Sequence, residues 1–285
     1  MIFLTGATGQ LGSLIVDQLL GIVDASQLGV LVRSEEKGAP FAEKGIAVHV
    51  GDYEDPASLV AAFQNVDVLL FTSNTDFTRR QAQHEHVTDA AKEAGVGRLV
   101  YTSIVATDPE TPLVASHLAT EEYIKASGVP YTFLRNNFYM DMFVDQVQNA
   151  IAQGAYFSPM GANNGAAFVT REDIARVATA VLTTDGHEGK IYNLTGPEVV
   201  TPTVFAEVAS AISGKTIPFE QISWDALTQG LQASGMPEQV VQMIMMSTQI
   251  LDSNILALVS DDVGDVTGTP ANSFMDYMKG KLATA

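Results

Sequence analysis

Three glycines are spaced as GxxGxxG in the segment Gly6-Ala7-Thr8-Gly9-Gln10-Leu11-Gly12. Glycine at this spacing allows a tight turn after a strand and close approach of backbone to a pyrophosphate. The helix that the loop opens offers free N–H groups and a positive dipole end to the same phosphates. The triplet carries this meaning only in the first βα turn of an alternating fold. An apolar run at 2–5 before it and a helical pattern at 10–20 after it supply that setting. Gly6, Gly9 and Gly12 are therefore expected to form a dinucleotide loop.

The end of the second strand selects the dinucleotide. An acidic residue there would bind a ribose 2′-hydroxyl, whereas an arginine meets a 2′-phosphate. The sequence reads Val32-Arg33-Ser34, so Arg33 points to NADP(H), with Lys37 placed to assist. Glu35 and Glu36 follow on the next helix and are expected to face solvent. After the third strand comes Gly51-Asp52-Tyr53. Asp52 could accept from an adenine amino group or cap the helix beginning near Pro56, and both readings stay open. The fourth and fifth strands end in Thr72-Ser73-Asn74 and Thr102-Ser103. Small polar residues at such ends line a ligand crevice or simply form turns.

These residues need a scaffold, and the rest of the first half provides one. Strand-like runs fall at 2–5, 28–33, 46–50, 66–72, 98–103 and 131–135. Several are continuously apolar, as in parallel strands covered on both faces. Helical patterns lie between them at 10–20, 35–44, 56–63, 78–94 and 113–127, with Gly95 and Gly128 at expected helix ends. The rhythm predicts an α/β fold, a doubly wound parallel Rossmann sheet with right-handed crossovers. Beyond Arg135 it breaks. Helices are expected at 139–153, 170–182, 203–213, 224–233, 237–259 and 272–281, with short extended pieces between. The division expected is an NADP-binding Rossmann domain at 1–153 and a smaller mixed α/β substrate region at 154–285. About 185–200 should return to the main sheet, near Ile191–Leu194.

Composition narrows the function classes. The chain has 285 residues, 46% of them hydrophobic, with a formal charge of −18. Such a surface repels phosphate backbones and anionic lipid, so no nucleic acid and no membrane partner is expected. Cysteine is absent, which excludes disulfides, thiolate catalysis and Cys-ligated zinc. No signal-peptide pattern and no membrane-spanning run is seen, so the expected location is cytoplasmic. Gln83-His84-Glu85-His86 invites a metal reading, but residues two apart on a helix point to different faces, and no metal is expected.

The stretches GATGQLG, VLVR, GDYEDPASL, YTS, HLATEE and VPYTFLRNNFY together resemble the NmrA-like branch of the atypical short-chain dehydrogenases. Within it the chain is most similar to the type 2 NADPH:quinone oxidoreductases and triphenylmethane reductases. The likeness extends through VTREDIARVATAVL, GHEGKIYNLTG and SDDVGDVTGTP. It implies a Rossmann domain with a small C-terminal domain and NADPH as hydride donor. It further implies that Gly6, Thr8, Gln10 and Leu11 hold the pyrophosphate, Arg33 the 2′-phosphate, and Ser73 the ribose side. Asn136, Asn137, Phe138 and Tyr139 would border the nicotinamide and the acceptor.

One departure matters. The short-chain dehydrogenase general acid is a Tyr-x-x-x-Lys pair on the helix after the fifth strand. Here that helix reads His117-Leu118-Ala119-Thr120-Glu121, which keeps the spacing and loses the chemistry. Carbonyl–alcohol interconversion and sugar-nucleotide epimerisation are disfavoured. Acceptors such as quinones or cationic dyes are favoured, because positioning for direct hydride transfer suffices for them. His117 could protonate a reduced oxygen, or only brace the nicotinamide or pair with Glu121.

The expected function is thus NADPH-dependent hydride transfer to a small hydrophobic, quinone-like or extended aromatic acceptor, without metal or flavin. The alternative is an NmrA-type NADP(H)-binding redox sensor without turnover. A homodimer is left open. Trp224 and Met243-Ile244-Met245-Met246 on the late helices are either core or a pliable wall over the acceptor.

Overall fold

The first half of the chain builds a βα ladder with few interruptions. In the computed structural model, residues 1–74, 76, 78–105 and 111–283 are described. The ladder runs β1 (Ile2–Leu4), α1 (Gln10–Leu19), β2 (Leu28–Val32), α2 (Glu35–Glu43), β3 (Ala47–Val50), α3 (Pro56–Ala62), β4 (Val68–Phe71), α4 (Arg80–Ala94), β5 (Arg98–Ile104), α5 (Pro112–Ser127) and β6 (Tyr131–Asn136). The remainder contributes α6 (Val144–Gln153), β7 (Tyr156–Ser158), α7 (Arg171–Thr183), β8 (Lys190–Leu194), α8 (Pro202–Ser213), β9 (Phe219–Gln221), α9 (Trp224–Ala233), α10 (Glu238–Asp252), α11 (Asp262–Thr267) and α12 (Phe274–Leu282).

Seven strands form one parallel sheet in the order β3-β2-β1-β4-β5-β6-β8. Every residue of β2 and β5 is buried, as their unbroken apolar character requires of strands covered on both faces. The order reverses between β1 and β4, and in such sheets ligands bind beyond the carboxyl ends of the strands at that reversal. One side of the sheet packs Phe3, Phe63, Leu69, Phe71, Tyr101 and Phe133 into a single apolar cluster with α3, α4 and α5.

Two compact units result. The first comprises Met1–Asn136, Arg171–Leu194 and Asp262–Thr269; the second comprises Asn137–Thr170, Thr195–Asp261 and Pro270–Ala285. The sequence expectation placed the division after Gln153, whereas the chain leaves the first unit at Asn136 and re-enters it twice. In the second unit β7 and β9 make a short parallel pair. Its core is aromatic: Phe143 stacks on Phe168 with centroids 4.1 Å apart, and Tyr156 on Phe205 at 4.8 Å.

Local polar contacts moved several boundaries. The helix expected at 237–259 stops at Asp252, because Asp252 and Asn254 turn to clamp a loop. Asp252 Oδ1 accepts from the amides of Gly161 and the Asn164 side chain, both at 2.8 Å, and Asn254 Oδ1 accepts from Gly165 N at 2.8 Å. Asn254 adopts φ 60°, a left-handed value that ends helices. The helix expected from Thr78 begins at Arg80, since the Asp76 side chain takes the amides of Thr78 and Arg79 in a turn. The short α11 was not expected; it lies within the SDDVGDVTGTP stretch, where Asp262 Oδ2 accepts from Asn193 N at 2.6 Å and ties it to β8.

Candidate functional site

The glycine loop leaves β1 through Thr5, whose buried hydroxyl donates to Leu70 O and accepts from Thr72 N, joining the ends of β1 and β4. Gly6 then turns at φ +66°. Gly9 precedes α1 without a side-chain cap, so the first-turn amides of Gln10, Leu11 and Gly12 have no helical carbonyl to bond. A Cβ at Gly12 would stand 2.2 Å from Gly6 O and 2.8 Å from Ala7 Cα, so only glycine lets helix and loop approach this closely. Thr8, Gly9 and Gln10 are exposed, while the Leu11 side chain belongs to the core and leaves only its backbone for a ligand.

A cleft of about 610 Å³ opens beside this loop. Gly6, Thr8 and Gly9 line it together with Arg33, Lys37, Asp52, Tyr53 and Ser73. This volume suits a nucleotide-sized ligand. Among the described residues neither Arg33 nor Lys37 makes an ion pair, whereas Arg79, also on the cleft, is held by Asp76 at 2.7 Å and Glu54 at 3.3 Å. The glycine loop and two cations without an ion pair among the described residues therefore share one crevice, and the arrangement fits a dinucleotide bearing an extra phosphate. Asp52 is not the cap of α3; Asp55 fills that place by accepting from Ser58 N at 3.3 Å. Asp52 Oδ1 instead accepts from Glu54 N at 2.9 Å, which holds the carboxylate on the cleft wall. Tyr53, without a role in the sequence reading, places its hydroxyl 2.6 Å from Thr5 Oγ1 and 2.9 Å from Thr72 O. Burial raises its pKa, so the phenol stays protonated and pins the third strand's exit to the first and fourth.

The residues at the ends of β5 and β6 divide into two buried clusters. Ser103 does not line the cleft. Its hydroxyl donates to Glu121 Oε1 at 2.6 Å, and Arg135 donates to both oxygens of the same carboxylate, from Nε at 2.9 Å and from the guanidinium end at 2.6 Å. Glu121 is therefore committed to Arg135 and Ser103, and it is not a partner of His117. Asn136, at the end of β6, is buried, and its side-chain oxygen has no hydrogen bond among the described residues.

The second cluster contains His117, with Nδ1 2.7 Å from the Tyr101 hydroxyl. His84 Nδ1 lies 2.9 Å from Thr120 Oγ1, and Arg80 is buried beside them, donating to Asn74 O and Ser116 Oγ. Burial first, then the Arg80 charge and His84, push the His117 pKa down to about 3. Such a ring is neutral at ordinary pH, which weighs against reading His117 as an acid that protonates a reduced oxygen. His86 Nδ1 is 2.8 Å from Tyr53 O, so His84 and His86 serve different neighbours.

In the second unit Asn137 has a framework role. Its Nδ2 donates to Leu256 O at 2.9 Å and its Oδ1 accepts from Phe138 N at 2.8 Å, which fixes the backbone of the following residue. Phe138 and Tyr139 are half-buried, and Tyr139 bridges to Val169. Met243 and Met246 are exposed and Met245 half-buried, so the methionine run is not core.

The sequence agrees with this geometry at the level of families. A model of the NmrA-like family matches residues 1–264. The chain belongs to the NmrA-like family. Among relatives, Quinone oxidoreductase 2 of Escherichia coli (strain K12) is 36% identical over 245 residues, covering 86% of this chain and 85% of that one. The crystal structure of NADPH-dependent quinone oxidoreductase from Escherichia coli complexed with NADPH superposes with a TM-score of 0.89 at 33% identity, covering 99% of each chain. The triphenylmethane reductase of Citrobacter sp. complexed with NADP(H) gives 0.90 at 36% identity, again over 99% of each chain. Tyr101, Arg80 and the Glu121–Arg135 pair were missed by sequence reasoning. Only the last had a readable signal, an acidic residue standing where a short-chain dehydrogenase carries lysine.

Proposed function

We propose that this NmrA-like protein is an NADPH-dependent oxidoreductase that passes hydride directly to a quinone-like or extended aromatic acceptor. The observation that carries this reading is the cleft at the sheet's reversal, where the glycine loop before α1 meets Arg33 and Lys37, which make no ion pair among the described residues. When bound, NADPH supplies a hydride from its nicotinamide ring. The loop at Gly6, Thr8 and Gly9 and the amides of Gln10, Leu11 and Gly12 hold the pyrophosphate, and Arg33 meets the 2′-phosphate. Asp52 offers its carboxylate to the adenine, and Ser73 lines the ribose side. Asn136 offers its unpaired buried oxygen on the nicotinamide side. Asn137 sets the backbone of Phe138, and Phe138 and Tyr139 border the acceptor.

The absent Tyr-x-x-x-Lys pair supports the choice of acceptor. Position 117 holds a neutral histidine, and position 121 a carboxylate locked by Arg135. No cationic acid stands ready for an alcohol or sugar, and a quinone or cationic dye needs none. The related quinone and triphenylmethane reductases also favour turnover over silent sensing.

The test is Arg33→Ala, with NADPH and NADH affinities measured by fluorescence titration and NADPH oxidation followed with a panel of quinones and dyes. Loss of a charge-assisted contact worth roughly 1.5–3 kcal/mol should weaken NADPH about 10- to 100-fold. NADH affinity should change little. Equal loss for both cofactors would overturn the role of Arg33. Absence of acceptor-dependent oxidation in the wild type would overturn the oxidoreductase reading.

A further inference from the structure

We infer that Tyr101 fixes the tautomer of His117, so that its Nε2–H serves as a neutral hydrogen-bond donor to the carbonyl oxygen of a quinone acceptor. This deepens the oxidoreductase reading and rests on it for the identity of the acceptor. The argument begins with where the few protons of a buried network can go. Thr120 donates its hydroxyl proton to Ser116 O at 2.9 Å, so Thr120 Oγ1 acts as an acceptor toward His84 Nδ1, also at 2.9 Å. His84 therefore carries its proton on Nδ1. That nitrogen has no lone pair left for Tyr101, which lies 3.4 Å away. The Tyr101 hydroxyl also meets the Thr120 side chain, but its short contact, 2.7 Å, is with His117 Nδ1, and the proton is assigned there. Burial raises the phenol's pKa, so the proton is always present. With Nδ1 accepting, the one ring proton of neutral His117 resides on Nε2.

The surroundings keep the ring neutral. Arg80 and His84 face it from α4, Tyr101 from β5, and Ser116, Thr120 and Glu121 neighbour it on α5. The carboxylate of Glu121 is engaged by Arg135 and Ser103 and gives His117 no compensating charge. His117 Nε2 takes no hydrogen bond among the described residues. Among the described residues it is the donor that the network leaves unused.

Such a donor has a defined use. Hydride addition brings two electrons and one hydrogen to a quinone and leaves one negative charge on oxygen. A neutral N–H stabilises that charge without surrendering its proton, since imidazolate is too costly to form. The hydroquinone monoanion then takes its proton from water, and the cofactor leaves oxidised. A cationic triphenylmethane dye accepts hydride at carbon and becomes neutral, with no oxyanion to stabilise. Tyr101 is on this view a positioning residue, and His117 the group that touches substrate.

The experiment uses the full chain. Two-bond ¹⁵N–¹H spectra of the wild type report the tautomer of His117 directly, without any variant. The Nε2–H pattern is expected, and an Nδ1–H pattern would overturn the inference. Tyr101→Phe should mix the two tautomers. It should also lower kcat/KM for benzoquinone relative to that for a cationic triphenylmethane dye by about tenfold, a fraction of the roughly 10²- to 10³-fold cost of losing such a donor outright. His117→Ala should lower the same ratio further. If quinone and dye rates fall in parallel along with NADPH affinity, the donor braces the nicotinamide carboxamide, and the acceptor role is wrong. Failure of the wild type to oxidise NADPH with either acceptor would instead remove the oxidoreductase reading, and the tautomer spectrum would still judge Tyr101.

Discussion

Gly6 and Gly12 serve the same loop for different steric reasons. Gly6 is needed for its positive φ, whereas Gly12 is needed because the backbone of Gly6 and Ala7 occupies the space of a Cβ. Gly12→Ala should therefore push α1 away from the loop. A stability loss of about 1–3 kcal/mol is expected, as for overpacking of a tight site. NADPH affinity should fall more steeply than stability, because the displaced amides are the ones proposed to hold the phosphates. Calorimetry and NADPH titration on the same preparation check this; unchanged affinity with lowered stability would mean that the α1 amides do not bind the phosphates. The loop was legible because glycine spacing is local and its meaning is steric. The place of Arg33 on the cleft was legible for a similar reason, since the end of the second strand is fixed by the βα rhythm. Ser103 was not: its residue type suits a crevice, and only the three-dimensional placement of Glu121, eighteen positions along, shows where its proton goes.

At the level of elements, α5 is bolted to the sheet by the Glu121 carboxylate. Glu121 is 1% exposed and Arg135 16%, so water screens the pair little. Through it α5 holds the ends of β5, by Ser103, and β6, by Arg135, next to Asn136. Glu121→Ala leaves a guanidinium largely buried without its counter-charge, which costs about 3–5 kcal/mol. Replacing both partners, as Glu121→Leu with Arg135→Met, should cost much less, because no charge is then stranded. Urea denaturation of the single and double variants measures the difference; a single variant as stable as the double would show that the pair does not hold the helix. The four-residue spacing of His117 and Glu121 was readable, but their partners were not. Spacing gives a shared helix face, and it does not say that one side chain meets β6 and the other meets Tyr101 on β5. The late helices were harder still, since the end of α10 is set by Asp252 and Asn254 reaching to residues about ninety positions earlier.

At the level of the whole molecule, a formal charge of −18 coexists with two histidines enclosed in a neutral state. No helix among the described residues is long and apolar enough to cross a membrane. The histidines give a pH signature that the acidic surface does not. In the fold, burial and Arg80 hold both His84 and His117 down to about 3, while an unfolded histidine titrates near 6.5. Above that value both states keep the rings neutral, and their contribution to stability is complete and constant. Below it the unfolded chain takes up protons that the folded chain refuses. Stability must then fall with falling pH, between about 6.5 and 3, by up to about 1.4 kcal/mol per pH unit for each ring. Protonating surface carboxylates acts in the opposite sense over the lower part of that range, by relieving repulsion, so the total slope mixes both effects. A variant separates them. His117→Gln keeps the acidic surface and removes one ring, so wild type minus variant isolates that ring's share. Unfolding free energies in urea at pH 8, 7, 6 and 5 should run parallel for the two proteins down to about 7. Below that the wild type should lose stability faster. Parallel lines through pH 5 would mean that His117 takes up its proton in the fold as readily as in the unfolded chain, and the buried neutral imidazole would have to be given up.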